Sequence, residues 1–161
     1  MLADSNLDVR NGLKTLADNS LVHISICGWI VMHHHLLQRL GRQIVHEQSD
    51  EPGKRQFLIE AEEIRAVLTD ETGTGSVIGI SFDTSKITEV SVSKGAFEGM
   101  RNLRFLRIFN YWFSGKCTLQ IPEDMEYLPR LRLLHWDHYP RKSLPLRFQP
   151  ECLVELDMRH S

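Results

Sequence analysis

Met32 is followed by three histidines, His33, His34 and His35, side chains that bind metals and move protons near neutral pH. Adjacent side chains diverge on a helix or a strand, so three imidazoles in a row do not converge on one ion. No metal site is expected there. His135 and His138 lack a Cys or acidic partner at zinc-finger spacing and read as surface and loop. Glu60, Glu62 and Glu63 have the crowding of paired acids, but they fall on the polar face of an amphipathic segment, where solvated carboxylates are ordinary. Gly73-Thr74-Gly75 begins like a dinucleotide fingerprint, yet the third glycine is replaced by Ile78. A strand rather than a helix is expected next, so no helix N-terminus faces a pyrophosphate. No GxxxxGK[ST] loop occurs, and with it go the backbone nest and lysine that cradle nucleotide phosphates. No Cys–His or Ser–His–Asp arrangement suggests itself, and the chain is expected not to be an enzyme.

The elements that position these residues are clearest in the last third. Leu103-x-x-Leu106-x-Ile108 is followed by Leu131-x-x-Leu134-x-Trp136 and Leu153-x-x-Leu156-x-Met158, and Val77-x-x-Ile80-x-Phe82 reads as an earlier, degenerate copy. The first apolar positions of the four copies lie 26, 28 and 22 residues apart, against a leucine-rich-repeat period of about 20–29. Residues two apart share one side of a strand. Leu106, Leu134 and Leu156 should therefore form one buried column, and Ile108, Trp136 and Met158 a second. One repeat cannot bury its own apolar face, whereas stacked neighbours can. The opposite, open face would carry Phe105, Leu133 and Glu155 in one row, Arg107, His135 and Asp157 in the next, and Phe109, Asp137 and Arg159 in a third.

Ahead of the repeats, Leu7 to Ala17 has helical spacing, Leu21 to Ile26 reads as a strand, Cys27-Gly28 as a tight turn and Trp29 to Met32 as the returning strand. Leu36 to Val45 is again helical. Helix, hairpin, helix is the tail end of a winged-helix module. Gln48 to Lys54 is a turn-rich break. Phe57 to Leu68 reads as an amphipathic helix with Leu58, Ala61, Ile64, Val67 and Leu68 on one face. Ile87 to Val92 is a short β run, Ala96 to Met100 a helical turn, and Tyr111 to Thr118 a longer loop. The expected class is α+β: a partial winged helix followed by the start of a leucine-rich-repeat solenoid. The expected domains are 1–48 (the end of the winged helix), 49–75 (a linker with an amphipathic helix) and 76–161 (the first repeats).

Composition bounds the rest. The chain has 161 residues, 42% of them apolar and 25% charged, with net charge −2, so no global attraction to nucleic acid or anionic membrane is expected. Arg101, Arg104, Arg107, Arg130, Arg132, Arg141 and Arg147 make one region basic, but they alternate with leucines and acids in the manner of a solvated face. The three cysteines include no CxxC pair, which fits a reducing compartment. No apolar run approaches a membrane span, and the N-terminus lacks a signal-peptide core. The cytosol, or the nucleus, is the expected location.

Three long stretches resemble one family: HHHLLQRLGRQIVHEQSDEPGKRQFLIEAEEIRAVLTDETGTGSVIGISFDTSKI, AFEGMRNLRFLRIF, and IPEDMEYLPRLRLLHWDHYPRKSLPLRFQPECLVELDM. They look like plant intracellular immune receptors of the TIR-type class, with a nucleotide-binding NB-ARC module and leucine-rich repeats. The resemblance runs from about Leu7 to the C-terminus and implies a truncated receptor in plant defence signalling. It covers the end of the winged helix, the linker and the opening repeats. The family binds ADP or ATP; in this chain alone no cofactor is expected. In the family a Met-His-Asp-like motif lets a histidine sense ADP. Here the motif is Met32-His33-His34-His35-Leu36-Leu37, with one residue more than usual between Met and the Leu pair. Either His33 follows Met32 in register, or His34 sits at the usual distance before Leu36; His35 fills the acidic position.

The resemblance implies a protein partner: an effector, a host protein, or the remainder of the receptor in trans, with no membrane. The contact residues are expected at Arg107, His135 and Asp157, with Phe105, Phe109 and Glu155 beside them. The alternative is a nucleic-acid-binding winged-helix protein using Leu21–Met32 as its wing. That stretch has almost no Lys or Arg, whereas DNA contact rests on phosphate-neutralising cations, so nucleic acid is not the expected partner. A short repeat array buries a limited core, and marginal stability is expected.

Overall fold

The computed structural model describes residues 9–19, 21–24, 30–31, 35–110 and 118–159. The chain divides into two compact units, residues 1–44 and 45–161. In the first, helix α1 (Val9–Asp18) precedes an antiparallel pair, β1 (His23–Ile24) and β2 (Ile30–Val31), with His23 opposite Val31. Helix α2 (His35–Glu47) starts in this unit and ends in the second. The expected helix, hairpin, helix order is present. The turn at Cys27-Gly28 and the histidines His33 and His34 lie outside the described residues. Leu36, Leu40 and Ile44 recur at the expected helical interval, yet they are exposed, and no residue of α2 is buried.

The second unit is built on parallel strands. β3 (Phe57–Leu58), β4 (Gly79–Asp83), β6 (Phe105–Phe109), β8 (Leu133–Trp136) and β9 (Glu155–Asp157) form one five-stranded sheet in that order, every neighbouring pair parallel. β5 (Glu89–Ser91) and β7 (Thr118–Gln120) form a second, two-stranded parallel sheet. The last four strands of the large sheet fall on the four apolar copies, in register: Ile80 opposite Leu106, Leu106 opposite Leu134, Leu134 opposite Leu156. The column Leu58, Ile80, Leu106 and Leu134 is buried, as are Phe82, Ile108 and Trp136 in the next. Val77, Leu103 and Leu131, the first apolar positions, are fully enclosed with them. Tyr139 closes the second column edge-on, its ring centroid 4.9 Å from that of Trp136.

Several expectations are corrected. Leu156 is 53% exposed because β9 has a neighbour on one side only, and Met158 lies beyond the strand and is partly buried. Helix α3 runs Ala61–Asp70 rather than starting at Phe57. Phe57 and Leu58 are the first strand instead, so Leu58 reaches the core from the sheet while Ala61, Ile64, Val67 and Leu68 reach it from the helix. Ala96–Met100 is a set of four-residue turns rather than a helical turn, the amide of Met100 donating to the Phe97 carbonyl. Thr118 starts β7; the rest of the expected Tyr111–Thr118 loop lies outside the described residues.

Two glycine contacts bring the turns around the Thr72-Gly73 backbone together. A Cβ on Gly53 would stand 2.0 Å from the Thr72 carbonyl oxygen, and one on Gly99 would stand 2.1 Å from that of Gly73. These are backbone-on-backbone approaches that only a residue without a side chain allows. The Gly53 carbonyl then accepts from both the amide and the hydroxyl of Thr74, at 2.9 and 2.8 Å. No helix among the described residues is long and apolar enough to cross a membrane.

Candidate functional site

Alternation along the parallel strands puts the columns above on one side of the sheet and the intervening residues on the other. Register makes the rows. Phe57, Gly79, Phe105, Leu133 and Glu155 are successive partners in the first, and Ser81, Arg107, His135 and Asp157 in the second. Along the first row Phe57 is 42% exposed, Phe105 and Leu133 are half-buried, and Glu155 is exposed at the end. A Cβ on Gly79 would meet the Phe57 ring at 2.8 Å, so that ring lies across the glycine. Phe57, Phe105 and Leu133 thereby make an apolar band.

The second row is polar and interlocked. His135 Nε2 lies 3.1 Å from Asp137 Oδ1 and its Nδ1 lies 3.7 Å from Asp157 Oδ2. Arg159 grips the same Asp157 carboxylate with both arms of its fork, Nε to Oδ1 at 3.1 Å and Nη2 to Oδ2 at 2.9 Å. Bidentate geometry adds orientation as well as energy. Arg107 sets its guanidinium 4.3 Å above the centre of the Phe109 ring, a cation–π contact worth about 0.5–2 kcal/mol.

The structure thus brings Arg107, His135 and Asp157 together on three neighbouring strands, with Phe105 one row away and Glu155 at the row's exposed end. Phe109 differs from expectation. It is only 8% exposed, its ring sits beneath Arg107, and its carbonyl accepts from the buried Thr84 hydroxyl at 3.2 Å; it supports the face rather than offering contact. His33 and His34 lie outside the described residues, and their expected role stays with the sequence. Among the described residues no group of three or more His, Cys, Asp or Glu is arranged to hold a metal ion.

Sequence reasoning missed Phe57 and Arg55, and one signal would have found both. Leu58 stands 22 residues before Ile80 and pairs with it, so 55-x-x-58 is a fifth copy of the pattern. It was hidden because Arg55 occupies the position that Val77, Leu103 and Leu131 fill elsewhere. Arg55 is buried there. Its Nε donates to the Ser49 carbonyl at 2.7 Å and its Nη1 to Glu63 Oε2 at 2.8 Å. Glu63 is therefore not the freely solvated acid that its helix position implied, whereas the neighbouring Glu62 carboxylate is exposed. A scaffold of rigid parallel strands carrying an apolar band beside a row of charges, with aromatic residues and arginine prominent, has the makings of a protein contact surface.

Comparison with known proteins bears on the whole chain. Residues 1–49 match the family model described as the winged-helix domain of Roq1-like disease resistance proteins. Over its full length the chain is 53% identical to disease resistance protein RML1A of Arabidopsis thaliana, covering 16% of that protein. It is 46% identical over 99% of its length to disease resistance protein TAO1, and 45% identical over all of it to disease resistance protein RPS6, both from Arabidopsis thaliana, covering 14% of each. The chain therefore spans about one seventh to one sixth of the length of these relatives.

Proposed function

Because this chain corresponds over its whole length to one segment of the plant disease resistance proteins, we propose that it works in plant immune signalling as the junction of a receptor. There a winged-helix segment of an ADP-sensing switch leads into the first leucine-rich repeats. The all-parallel sheet on steps of 22, 26, 28 and 22 residues supports the repeat reading. The chain acts by binding rather than by catalysis, and the partner is a protein: an effector, a host protein or the remainder of the receptor. The observation that carries this is the open face, where Phe57, Phe105 and Leu133 lie beside Arg107, His135 and Asp157 on neighbouring rigid strands.

The remainder of the receptor, supplied as a separate chain, is the partner to test first. Association is expected, and Phe105→Glu or Arg107→Glu should weaken it at least about tenfold while the circular dichroism spectrum stays unchanged. Full affinity in both variants would remove the open face from the reading. The switch is tested separately: without a phosphate-cradling loop, this chain alone should show no ADP binding by calorimetry, and binding lost in His33→Ala or His34→Ala would mean that the sensor works without that loop.

A further inference from the structure

On one edge of the large sheet, the loops entering β6, β8 and β9 line an open-sided cavity of about 700 Å³. Arg101 and Arg104 come from the first loop, Arg130 from the second and Arg147 from the third, with Tyr127 and Phe148 as ring-bearing walls. Neighbouring strands lie about 4.8 Å apart. Equivalent loops on three successive strands therefore bring arginines far apart in sequence to the lining of one cavity. The basic stretch that reads in sequence as a solvated face, its cations diluted by acids, is sorted by the fold.

The charges in this cavity are poorly compensated. Among the described residues Arg101, Arg104 and Arg130 have no carboxylate within ion-pair distance, and Arg147 has one, Glu126 at 3.3 Å. Arg104 Nη1 donates to the carbonyls of Arg101 and Leu103, both at 3.2 Å, and Arg130 Nε to Gln149 Oε1 at 2.5 Å. These bonds aim the guanidinium groups without neutralising them. Four cations facing one carboxylate in a walled recess focus a positive potential there, although the whole chain is slightly acidic.

We propose that this cavity binds a small molecule carrying at least two phosphate groups. The planar guanidinium fork matches phosphate oxygens in a bidentate manner. Forks from three loops, on strands about 4.8 Å apart, present more donors than a single phosphate can take up, which is why the ligand needs two or more. The Tyr127 and Phe148 rings suit the carbon frame that carries them, and the volume lies within the range of about 300–1,000 Å³ that small-molecule sites occupy. The site is separate from the open face and does not rest on it.

The test is calorimetry on the full chain at about 0.15 M salt, with tripolyphosphate as probe and inorganic phosphate as the single-group control. Tripolyphosphate should bind one-to-one and more tightly than phosphate. The pair Arg101→Glu and Arg130→Glu should weaken it by about tenfold or more, and so should Arg147→Gln, though less; these three side chains are exposed, so the fold should survive. Lys86→Glu with Lys142→Glu, exposed cations that do not line the cavity, should leave affinity within about twofold, as should Phe105→Glu on the open face. Absence of binding overturns the proposal, as does an equal loss in the lysine pair, which would mark mere charge attraction. Tighter binding of an Asp- and Glu-rich peptide than of tripolyphosphate, lost in the arginine variants, also overturns it and makes the cavity a dock for an acidic protein segment.

Discussion

Arg55 shows what single residues decide in this chain. It occupies a position that its neighbouring repeats give to an enclosed aliphatic side chain, and it is tolerated because its hydrogen bonds have partners: the Ser49 carbonyl at 2.7 Å and Glu63 at 2.8 Å. Removing one member of such a pair leaves a buried donor without its acceptor, at a cost of about 1–3 kcal/mol. Glu63→Ala should therefore lower the unfolding free energy by that amount and the urea midpoint with it. Glu62→Ala, one residue away, removes an exposed pair with Arg65 and should cost well under about 1 kcal/mol. Equal midpoints for the two variants would contradict the burial of Arg55. Glu71 makes a second residue-scale prediction. It ends α3 in the left-handed conformation, φ 56°, and its carboxylate accepts from the Ser93 hydroxyl and from the Gly95 amide at 3.0 Å. Those bonds, Ser93's first, hold its carboxyl below the usual carboxylate range. A carboxyl that ionises more readily in the folded state adds stability above its unfolded pKa, and loses it as pH falls through the folded value. The Tm difference between the native chain and Glu71→Gln should thus be present at pH 7 and shrink as pH falls below the ordinary glutamate range of about 4.3; a gap that stays constant into acid would mean that the charge is not what Ser93 and Gly95 recognise.

At the scale of elements, much of the sheet was legible because residue spacing alone carries it. Steps of 22 to 28 residues and an apolar pair two apart are enough to assign Ile80, Leu106 and Leu134 to one column, and all three are buried in register. What was not legible depends on neighbours rather than on pattern. Leu156 holds the same place in the apolar pattern as Leu134, but lies on a strand paired on one side only. Phe57 sits in a run with helical spacing, and only its pairing with Gly79 shows it to be a strand residue. Phe109 alternates outward by position, yet it is buried beneath Arg107. The difference in environment at chemically equal positions can be measured. Leu106→Ala removes a fully enclosed side chain and should cost about 2–5 kcal/mol. Leu156→Ala, at 53% exposure, has little left to lose and should cost less than about 1 kcal/mol. Similar costs from chemical denaturation would mean that the two positions are equally covered in solution, against the structure.

At the scale of the whole molecule, stability is unevenly distributed, and the distribution can be predicted from burial. The second unit holds a continuous core that runs from Leu58 through Ile64, Phe82, Leu106 and Leu134 to Trp136. Helix α2, by contrast, buries no residue, and its stripe Leu36, Leu40 and Ile44 faces solvent at 72%, 50% and 53% exposure. Apolar burial contributes about 25 cal/mol per Å², and a helix of 13 residues is marginal in water without it. Amide hydrogen exchange should accordingly be fast through α2 and slow in β4, β6 and β8, whose amides open only with the core. A second reporter follows from the same stripe: replacing Leu36, Leu40 and Ile44 together by Ser should reduce the fluorescence of a dye that binds exposed apolar surface, with little change in the exchange of the sheet. Uniform protection across α2 and the sheet would show that the stripe is covered in solution and that the chain unfolds as one body. Fast exchange confined to α2 would leave the parallel sheet as the rigid platform on which both the open face and the arginine-lined cavity are held.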